Sequence, residues 1–243
     1  MAEPAGKQRP KARTGKSYKA LGEINKMNQL YDGKRGFLVS CRMRRAREGR
    51  KEITDLYARY VTEAAGHAPA GAAAGASFDE QLARELCAER ERTFAHETGV
   101  ECLLFCESAG DVLAEVETLF LNARDDGCVV REISRVVPME EVGIASGQDR
   151  VVAAVERVLA RHDLSGYKTF AVRYECRNNS TFTRDAVVPA VAALVPKHLT
   201  ADLKHAEVEV GVEIFGRGFG VRVAAGLQAQ AARWSLPRFL GQP

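Results

Sequence analysis

Four consecutive polar residues, Arg177-Asn178-Asn179-Ser180, follow a segment with the alternating pattern of a β-strand, residues 169–174. Arginine offers five N–H donors, whereas asparagine and serine side chains both donate and accept hydrogen bonds. Such a mixture suits the phosphates, 2′-hydroxyls and base edges of RNA. A structural role is equally consistent with the pattern, because asparagine tolerates the left-handed backbone of a turn and Arg177 could serve as an ion-pair partner.

Further cations lie close to this run in the sequence. Lys168 and Arg173 flank the predicted strand, and Arg184 begins the next predicted helix, so the three could form a basic edge around the turn. Arg217 lies within the glycine-rich segment Gly216–Gly220. That segment joins two predicted strands and does not open a helix as dinucleotide cradles do, so it predicts a hairpin turn in which Arg217 could contact phosphate.

The positive charge of the chain is concentrated at its N-terminus. Residues 1–50 carry a net charge of +10, whereas the remaining 193 residues carry −7. Residues 42–51 continue this charge as a predicted basic loop, which contains Arg44, Arg45 and Arg47. Lysine and arginine clusters bind phosphates in a salt-sensitive way. A solvated arm, or a nuclear import signal, remains an alternative function for the basic region.

Motifs for catalysis, metal binding and membrane insertion are missing from the sequence. There is no G-x-S-x-G, no phosphate-binding G-x-x-x-x-G-K-[ST] and no H-E-x-x-H, and none of the six cysteines forms a C-x-x-C pair. We therefore expect no catalytic residues, no metal and no cofactor. No apolar run approaches the roughly 20 residues that span a bilayer, so we also expect no membrane contact.

Hydrophobic periodicity predicts an α+β fold. An apolar strand at residues 36–41 is followed by two helices, the second at 78–96. A strand at 100–106, a helix at 109–122 and a strand at 129–137 that ends at Pro138 come next. This order is typical of a ferredoxin-like unit.

A second unit of helices and strands follows, which begins with a helix at 148–161 and ends with a helical stretch at 227–234. Its strand at residues 206–215 alternates apolar residues with Glu207, Glu209 and Glu213, which predicts one solvated face.

The segment Lys168-Thr-Phe-Ala-Val-Arg-Tyr-Glu-Cys-Arg-Asn-Asn-Ser180, with Thr183-Arg184-Asp185, resembles the central block of eukaryotic THUMP-domain tRNA-acetylation adaptors. Gly36–Cys41 with Met43 resembles the opening strand of that family. Arg135-Val136-Val137-Pro138-Met139 resembles the segment where its THUMP core begins. The match covers most of residues 34–240 in order, and the Arg-Asn-Asn-Ser block is its specific part.

The resemblance implies an α+β chain with a ferredoxin-like domain followed by a THUMP domain. The implied organisation is a basic disordered arm at 1–33, a ferredoxin-like domain at 34–130 with an Ala/Gly-rich linker or insertion at 64–77, a THUMP domain at 131–226 and a C-terminal segment at 227–243. It also implies a non-catalytic adaptor in the nucleus or nucleolus, and possibly the cytoplasm. Such adaptors present serine and leucine tRNAs to a separate RNA cytidine acetyltransferase, which forms N4-acetylcytidine in the D-arm.

The residues expected to contact RNA combine the matched block with the basic segments around it. They are Arg177, Asn178, Asn179, Ser180, Lys168, Arg173, Arg184, Arg135, Arg217, Arg44, Arg45 and Arg47. Two alternatives remain open at this point. One is an RNA-modifying enzyme subunit of the THUMP superfamily, of the methyltransferase or thiolation type, and the other is a non-catalytic protein-interaction module. The chain departs from the family pattern at 64–77, at 216–220 and at Arg233-Trp234-Ser235-Leu236.

Overall fold

The computed structural model describes residues 32–62 and 94–242, and the fold is α+β. The first unit contains three strands, two helices and the first half of a long strand. Its elements are β1 (Lys34–Cys41), α1 (Ala46–Tyr57, continued by a π-helical turn at Ala58–Thr62), β2 (Ala95–Glu97), β3 (Leu103–Glu107), α2 (Val112–Asp125) and β4 (Ile133–Ile144). The predicted arm at 1–33, linker at 64–77 and helix at 78–96 lie largely outside the described residues. The described end of that helix segment, Ala95–Glu97, is the strand β2.

The second unit contains two long helices and four strands. Its elements are α3 (Gln148–Leu159), β5 (Thr169–Arg177), α4 (Arg184–Ala192), β6 (Thr200–Ala201), β7 (Val208–Phe215) and β8 (Gly218–Ala225). Two one-turn helices follow, α5 (Gln228–Ala231) and α6 (Leu236–Phe239), and only α5 lies within the helical stretch that the sequence predicted at 227–234. The described strands form one sheet in the order β2-β3-β1-β4-β8-β7-β5-β6, in which β5 runs parallel to β6 and β7.

Strand β4 connects the two units and continues through Pro138, where the sequence predicted its end. One side of β4 pairs with β1 along most of its length, with Pro138 opposite Phe37, and its last residues pair with β8. The N–H of Val136 points away from β1 to the carbonyl of Trp234. The backbone N–H groups of residues two apart in a strand point to the same side. The N–H that Pro138 lacks would therefore also point away from β1, to a side where no described strand pairs with β4 at this position, so proline costs no ladder hydrogen bond.

β4 crosses from the edge of the second unit onto one face of its sheet. A Cβ on Gly220 of β8 would lie 2.5 Å from the sulfur of Met139, so only glycine allows this close approach. The first half of β4 then lies over β7 and β5, because Arg135 reaches Glu213 and Glu175, which are paired in register. The sheet therefore folds back on itself.

Each unit has its own hydrophobic core. In the first, α1 and α2 pack on β1, β3 and β4, and the C-terminal helix α6 joins them through Phe239, whose ring lies 5.2 Å from that of Phe120. In the second, α3 and α4 cover one face of β5, β7 and β8 with valine-rich surfaces. The opposite face of that sheet is the one that β4 and the segment around Trp234 cover. Within the described residues, no helix is long and apolar enough to cross a membrane.

Candidate nucleic-acid interface

The run Arg177–Ser180 forms a tight turn at the end of β5. Asn178 has a φ of +53°, and the backbone carbonyl of Arg177 accepts a hydrogen bond of 2.8 Å from the N–H of Gly216. The amide of Asn179 donates to the Gly216 carbonyl at 2.8 Å, while its oxygen accepts from the N–H groups of Thr181 and Phe182. Both ends of this side chain are therefore committed to shaping the loop, whereas Asn178 and Ser180 face solvent.

This difference between the two asparagines is testable. Asn179→Ala should lower the free energy of unfolding by about 1–3 kcal/mol, because half-buried backbone groups lose their partners. Asn178→Gly should leave stability nearly unchanged, since glycine adopts a positive φ readily. Urea denaturation of both variants measures the contrast. Equal stability of the two variants would show that Asn179 does not hold the loop.

Arg177 links this turn to the first unit. Its guanidinium is half-buried and donates a 3.0 Å hydrogen bond to the hydroxyl of Ser40, near the end of β1. The basic segment that begins at Arg42 follows Ser40 by two residues, a reach of about 7 Å. The turn at Gly216 also approaches the first unit, since a Cβ there would lie 3.4 Å from Val100. Both units therefore contribute to one edge.

We call this surface the arginine edge. It comprises Arg42, Arg44, Arg45, Arg47, Arg177, Arg184 and Arg217. All except Arg177 are exposed. Arg45 pairs with Glu48, but among the described residues no carboxylate forms an ion pair with Arg42, Arg44, Arg47, Arg184 or Arg217. Guanidiniums without ion-pair partners on one surface attract polyanions, and planar guanidiniums bind phosphate with two hydrogen bonds.

Helix α1 accounts for part of this geometry. The sequence suggested a basic loop over 42–51, but α1 begins at Ala46, so Arg47 projects from the first turn of a helix. Gly49 permits this packing, because a Cβ at that position would lie 2.7 Å from the Cβ of Cys41. Arg44 adopts a φ of +61° in the tight connection before the helix.

Two of the predicted RNA contacts lie elsewhere. Lys168 precedes β5, about 30 Å along the strand from Arg177 at 3.3 Å per residue. Arg173 lies in mid-strand, where it donates to the carbonyl of Leu203 at 3.0 Å and approaches Glu209 at 3.5 Å. The expectation that these two cations and Arg184 form a basic edge around the turn is therefore wrong for Lys168 and Arg173. A fully extended strand separates residues that are close in sequence.

Arg135 lies in the interface between the two units. Its guanidinium is 3.6 Å from both Glu175 and Glu213, and its side chain is largely covered. The predicted solvated face of β7 is also wrong for two of its three carboxylates, since Glu209 and Glu213 are buried while Glu207 is exposed. The covering residues come from β4 and from the segment around Trp234, both distant in sequence.

Arg222 lies at the centre of this buried charge cluster and is 1% exposed. It donates to Glu209 at 2.7 Å, and it lies 3.6 Å from Glu213. The indole N–H of Trp234 donates to the same oxygen of Glu209 at 3.1 Å, and the Arg222 guanidinium lies 5.6 Å from the Trp234 ring centre. The sequence contained a signal for the cluster, since Arg222 is the single charge in the apolar strand GFGVRVAA.

The two buried glutamates differ in pKa. Burial raises the pKa of Glu209, but Arg222, Trp234 and Arg173 outweigh that effect and hold its pKa below the ordinary value. Burial also raises the pKa of Glu213, and the more distant guanidiniums of Arg222 and Arg135 do not offset it. Glu209 is therefore the stably ionised partner of Arg222.

Glu213→Gln should give a free energy of unfolding near pH 7 that is within about 1 kcal/mol of wild type or above it. Because the folded-state pKa of Glu213 is raised, the stability that its carboxyl contributes is complete below the unfolded pKa and declines as pH rises through the folded pKa. The wild type should therefore lose stability relative to Glu213→Gln as pH rises above the ordinary glutamate pKa of about 4.3 and through the raised pKa of the folded state. Denaturation at several pH values tests this, and a wild type that gains on the variant as pH rises would contradict the assignment.

Comparison with known families identifies the second unit. The model of the THUMP domain family matches residues 147–223, from the start of α3 to within β8. The chain is thus an α+β protein that contains a THUMP domain. The match includes Arg177–Ser180, Arg184 and Arg217, whereas Arg42–Arg47 lie outside it. No curated protein matches the chain.

Three solved structures are similar to the chain. TrmN from Thermus thermophilus is 19% identical with a TM-score of 0.41, and the match covers 65% of this chain and 44% of that one. A 4-thiouridine synthetase in complex with RNA and bound ATP is 12% identical with a TM-score of 0.45, covering 79% and 41%. The protein PH1313 from Pyrococcus horikoshii OT3 is 11% identical with a TM-score of 0.48, covering 78% and 54%. The chain thus spans about half the length of these proteins or less.

Proposed function

We propose that this protein is a non-catalytic tRNA-binding adaptor that presents serine and leucine tRNAs to a separate RNA cytidine acetyltransferase, which forms N4-acetylcytidine in the D-arm. The proposal rests on the THUMP domain at 147–223 and on the resemblance of Lys168–Ser180 to the central block of such adaptors. It places the protein in the nucleus or nucleolus, where a basic N-terminal region would serve import.

The observation that carries the proposal is the arginine edge. Five exposed guanidiniums without ion-pair partners among the described residues come from both units. Arg184 and Arg217 follow the Arg177 turn and the adjoining Gly216 turn, and the other three follow the end of β1 that Arg177 contacts. Their charges can contact successive phosphates of one RNA backbone, and such contacts fix position without reading sequence. Asn178 and Ser180 add exposed donors and acceptors that can reach a 2′-hydroxyl or a base edge.

Arg177 has a positioning role in this proposal. Its hydrogen bond to Ser40 fixes the end of β5 against the end of β1, so the two groups of arginines keep a constant separation. A rigid array loses less conformational entropy when RNA binds than two independently moving loops would. The proposed interface therefore depends on the packing of the two units against each other.

Reconstitution tests the adaptor role. The full chain, an RNA cytidine acetyltransferase, acetyl-CoA and a serine tRNA transcript are combined, and N4-acetylcytidine is measured by mass spectrometry of the digested RNA. Modification should require both proteins and should be weak on a tRNA of another type. Acetylation by the chain alone would show that it is an enzyme. Equal acetylation by the acetyltransferase alone would exclude an adaptor role.

A further inference from the structure

A cleft lies near the opposite end of the second unit from the arginine edge. It occupies about 750 Å³ between the loop 202–207, which precedes β7, and the C-terminal segment 226–238. Arg173 and Glu209 form part of its floor. Glu209 precedes Phe215, the last residue of β7, by six residues, so about 20 Å of strand separates the cleft from the end of the sheet that carries the Arg177 turn. The volume is within the range of small-ligand sites, roughly 300–1,000 Å³.

Cations outnumber carboxylates among the charged residues that line the cleft. Lys204, Arg233 and Arg238 are exposed, and among the described residues none of them has a carboxylate partner. The two carboxylates of the cleft are engaged elsewhere. Glu209 accepts hydrogen bonds from Arg222 and Trp234, and Glu207 accepts from the backbone N–H groups of Lys168 and Thr169. An anionic group that enters the cleft therefore meets an excess of positive charge.

Neutral groups in the cleft suit a ligand larger than an anion. The side-chain oxygen of Gln230 is buried and has no hydrogen-bond partner among the described residues, although such atoms are normally paired in native proteins. Gln228 also lines the cleft, where its oxygen accepts a 3.0 Å hydrogen bond from Arg124 and its NH2 group can still donate, and Leu203, which is 61% exposed, adds an apolar wall. Amide groups next to an apolar wall can pair with the edge of a nucleobase and cover its face.

The backbone holds one of the cations in a strained position. Arg233 and Trp234 both have left-handed backbones, with φ of +55° and +60°. That conformation is unfavourable for a residue with a side chain, because its Cβ crowds the following carbonyl oxygen. The segment keeps it because the buried Trp234 is anchored through its indole to Glu209 and through its carbonyl to Val136. The strain leaves Arg233 exposed at the cleft, and strained backbone of this kind clusters at binding sites.

We propose that this cleft binds one nucleotide of an RNA chain, with its phosphate held by Lys204, Arg233 and Arg238 and its base beside Gln228, Gln230 and Leu203. The inference rests on the proposed RNA-binding function and adds a second contact, distinct from the arginine edge. An RNA that reached both sites would extend from one end of the strands of the second unit to the other. A bare anion does not account for the unpaired amide oxygen or the apolar wall.

Trp234 provides a local reporter, because it is the only tryptophan in the chain and its indole N–H contacts Glu209 in the cleft floor. The full chain labelled with ¹⁵N is titrated with 5′-AMP and, separately, with inorganic phosphate, and the indole N–H resonance is followed. AMP should produce a saturable shift, with an affinity at least tenfold higher than that of phosphate. Equal affinity for the two, or no shift with AMP, would overturn the nucleotide assignment.

Matched variants complete the test. Lys204→Glu with Arg238→Glu should weaken AMP binding at least tenfold, whereas Lys197→Glu with Arg35→Glu should not alter it, because this pair makes the same charge change at exposed positions outside the cleft that have no ion-pair partner among the described residues. A cleft variant that binds AMP within twofold of wild type, or a control that loses as much, would overturn the proposal.

The arginine-edge variant Arg44→Glu with Arg217→Glu separates this inference from the proposed function. It should retain AMP binding while it loses tRNA binding. If the variant still binds tRNA and responds normally to AMP, the arginine edge is not the tRNA site, but the cleft remains a nucleotide site. If the edge variant loses tRNA binding and the wild-type indole resonance does not respond to AMP, the cleft is not a nucleotide site, but the proposed RNA-binding function stands.

Discussion

Replacing Arg222 with methionine is expected to lower the free energy of unfolding by about 3–5 kcal/mol, the usual consequence of leaving a buried charge without its partner. Glu209 and Glu213 are 6% and 4% exposed, and Arg222 lies between them. Without the guanidinium, Glu209 loses the charge that does most to keep its pKa low. Methionine fills a similar volume, so the loss reports charge and not an empty cavity.

A neutralised cluster provides the control for this prediction. Arg222→Met combined with Glu209→Gln and Glu213→Gln removes all three charges, and it should recover most of the lost stability. Replacement of buried ion pairs by neutral groups is often close to neutral in free energy. Glutamine at position 209 can still accept the hydrogen bond from Trp234. Urea denaturation of the three proteins decides the matter: an Arg222→Met variant within about 1 kcal/mol of wild type would mean that the cluster is hydrated.

Reversing one arginine in each unit should have the largest effect on RNA binding. Arg44→Glu with Arg217→Glu is expected to weaken tRNA binding about 100-fold, because each lost charge-assisted contact is worth roughly 1.5 kcal/mol or more. Both side chains are exposed, so the fold should not change. Each single variant should show a smaller loss, since the proposed interface draws on both units.

The matched control carries the same change of net charge away from the edge. Lys197→Glu with Arg35→Glu, at exposed positions without an ion-pair partner among the described residues, should weaken tRNA binding only slightly, through the long-range field. Binding is measured by filter retention or fluorescence anisotropy at one salt concentration. Equal losses in the edge and control variants would show that the net charge of the protein, and not the arginine edge, determines binding.

Local patterns in the sequence predicted most of the elements that carry the proposed site. Alternation identified β5 and β7, and apolar periodicity identified α3 and α2, because each of these elements buries one face against its own core. The strand β4 was predicted to end at Pro138. The sequence does not show that the side of β4 facing away from β1 has no partner strand at that point, which is what makes proline acceptable there.

The composition of the site was harder to predict, because it depends on contacts between distant segments. Nothing near Glu209 and Glu213 in the sequence shows that β4 and Trp234 cover them, so an alternating strand suggested a solvated face. Lys168 and Arg177 are close in sequence but lie at opposite ends of one strand. Conversely, Arg177 and Ser40 are 137 residues apart and share a hydrogen bond. The sequence leaves open whether Asn178 and Asn179 shape the turn or face a ligand, and the hydrogen bonds of Asn179 show that this residue shapes the turn.

The dependence of tRNA affinity on salt tests most directly whether the arginine edge binds RNA. The logarithm of the association constant is measured against the logarithm of salt concentration for the full chain and for Arg44→Glu with Arg217→Glu. Each phosphate contact contributes about 0.7–0.9 to the slope, so the variant should show a slope smaller by roughly 1.5 together with weaker binding. An unchanged slope and affinity in a folded variant would contradict the account, because RNA would then bind elsewhere on the protein.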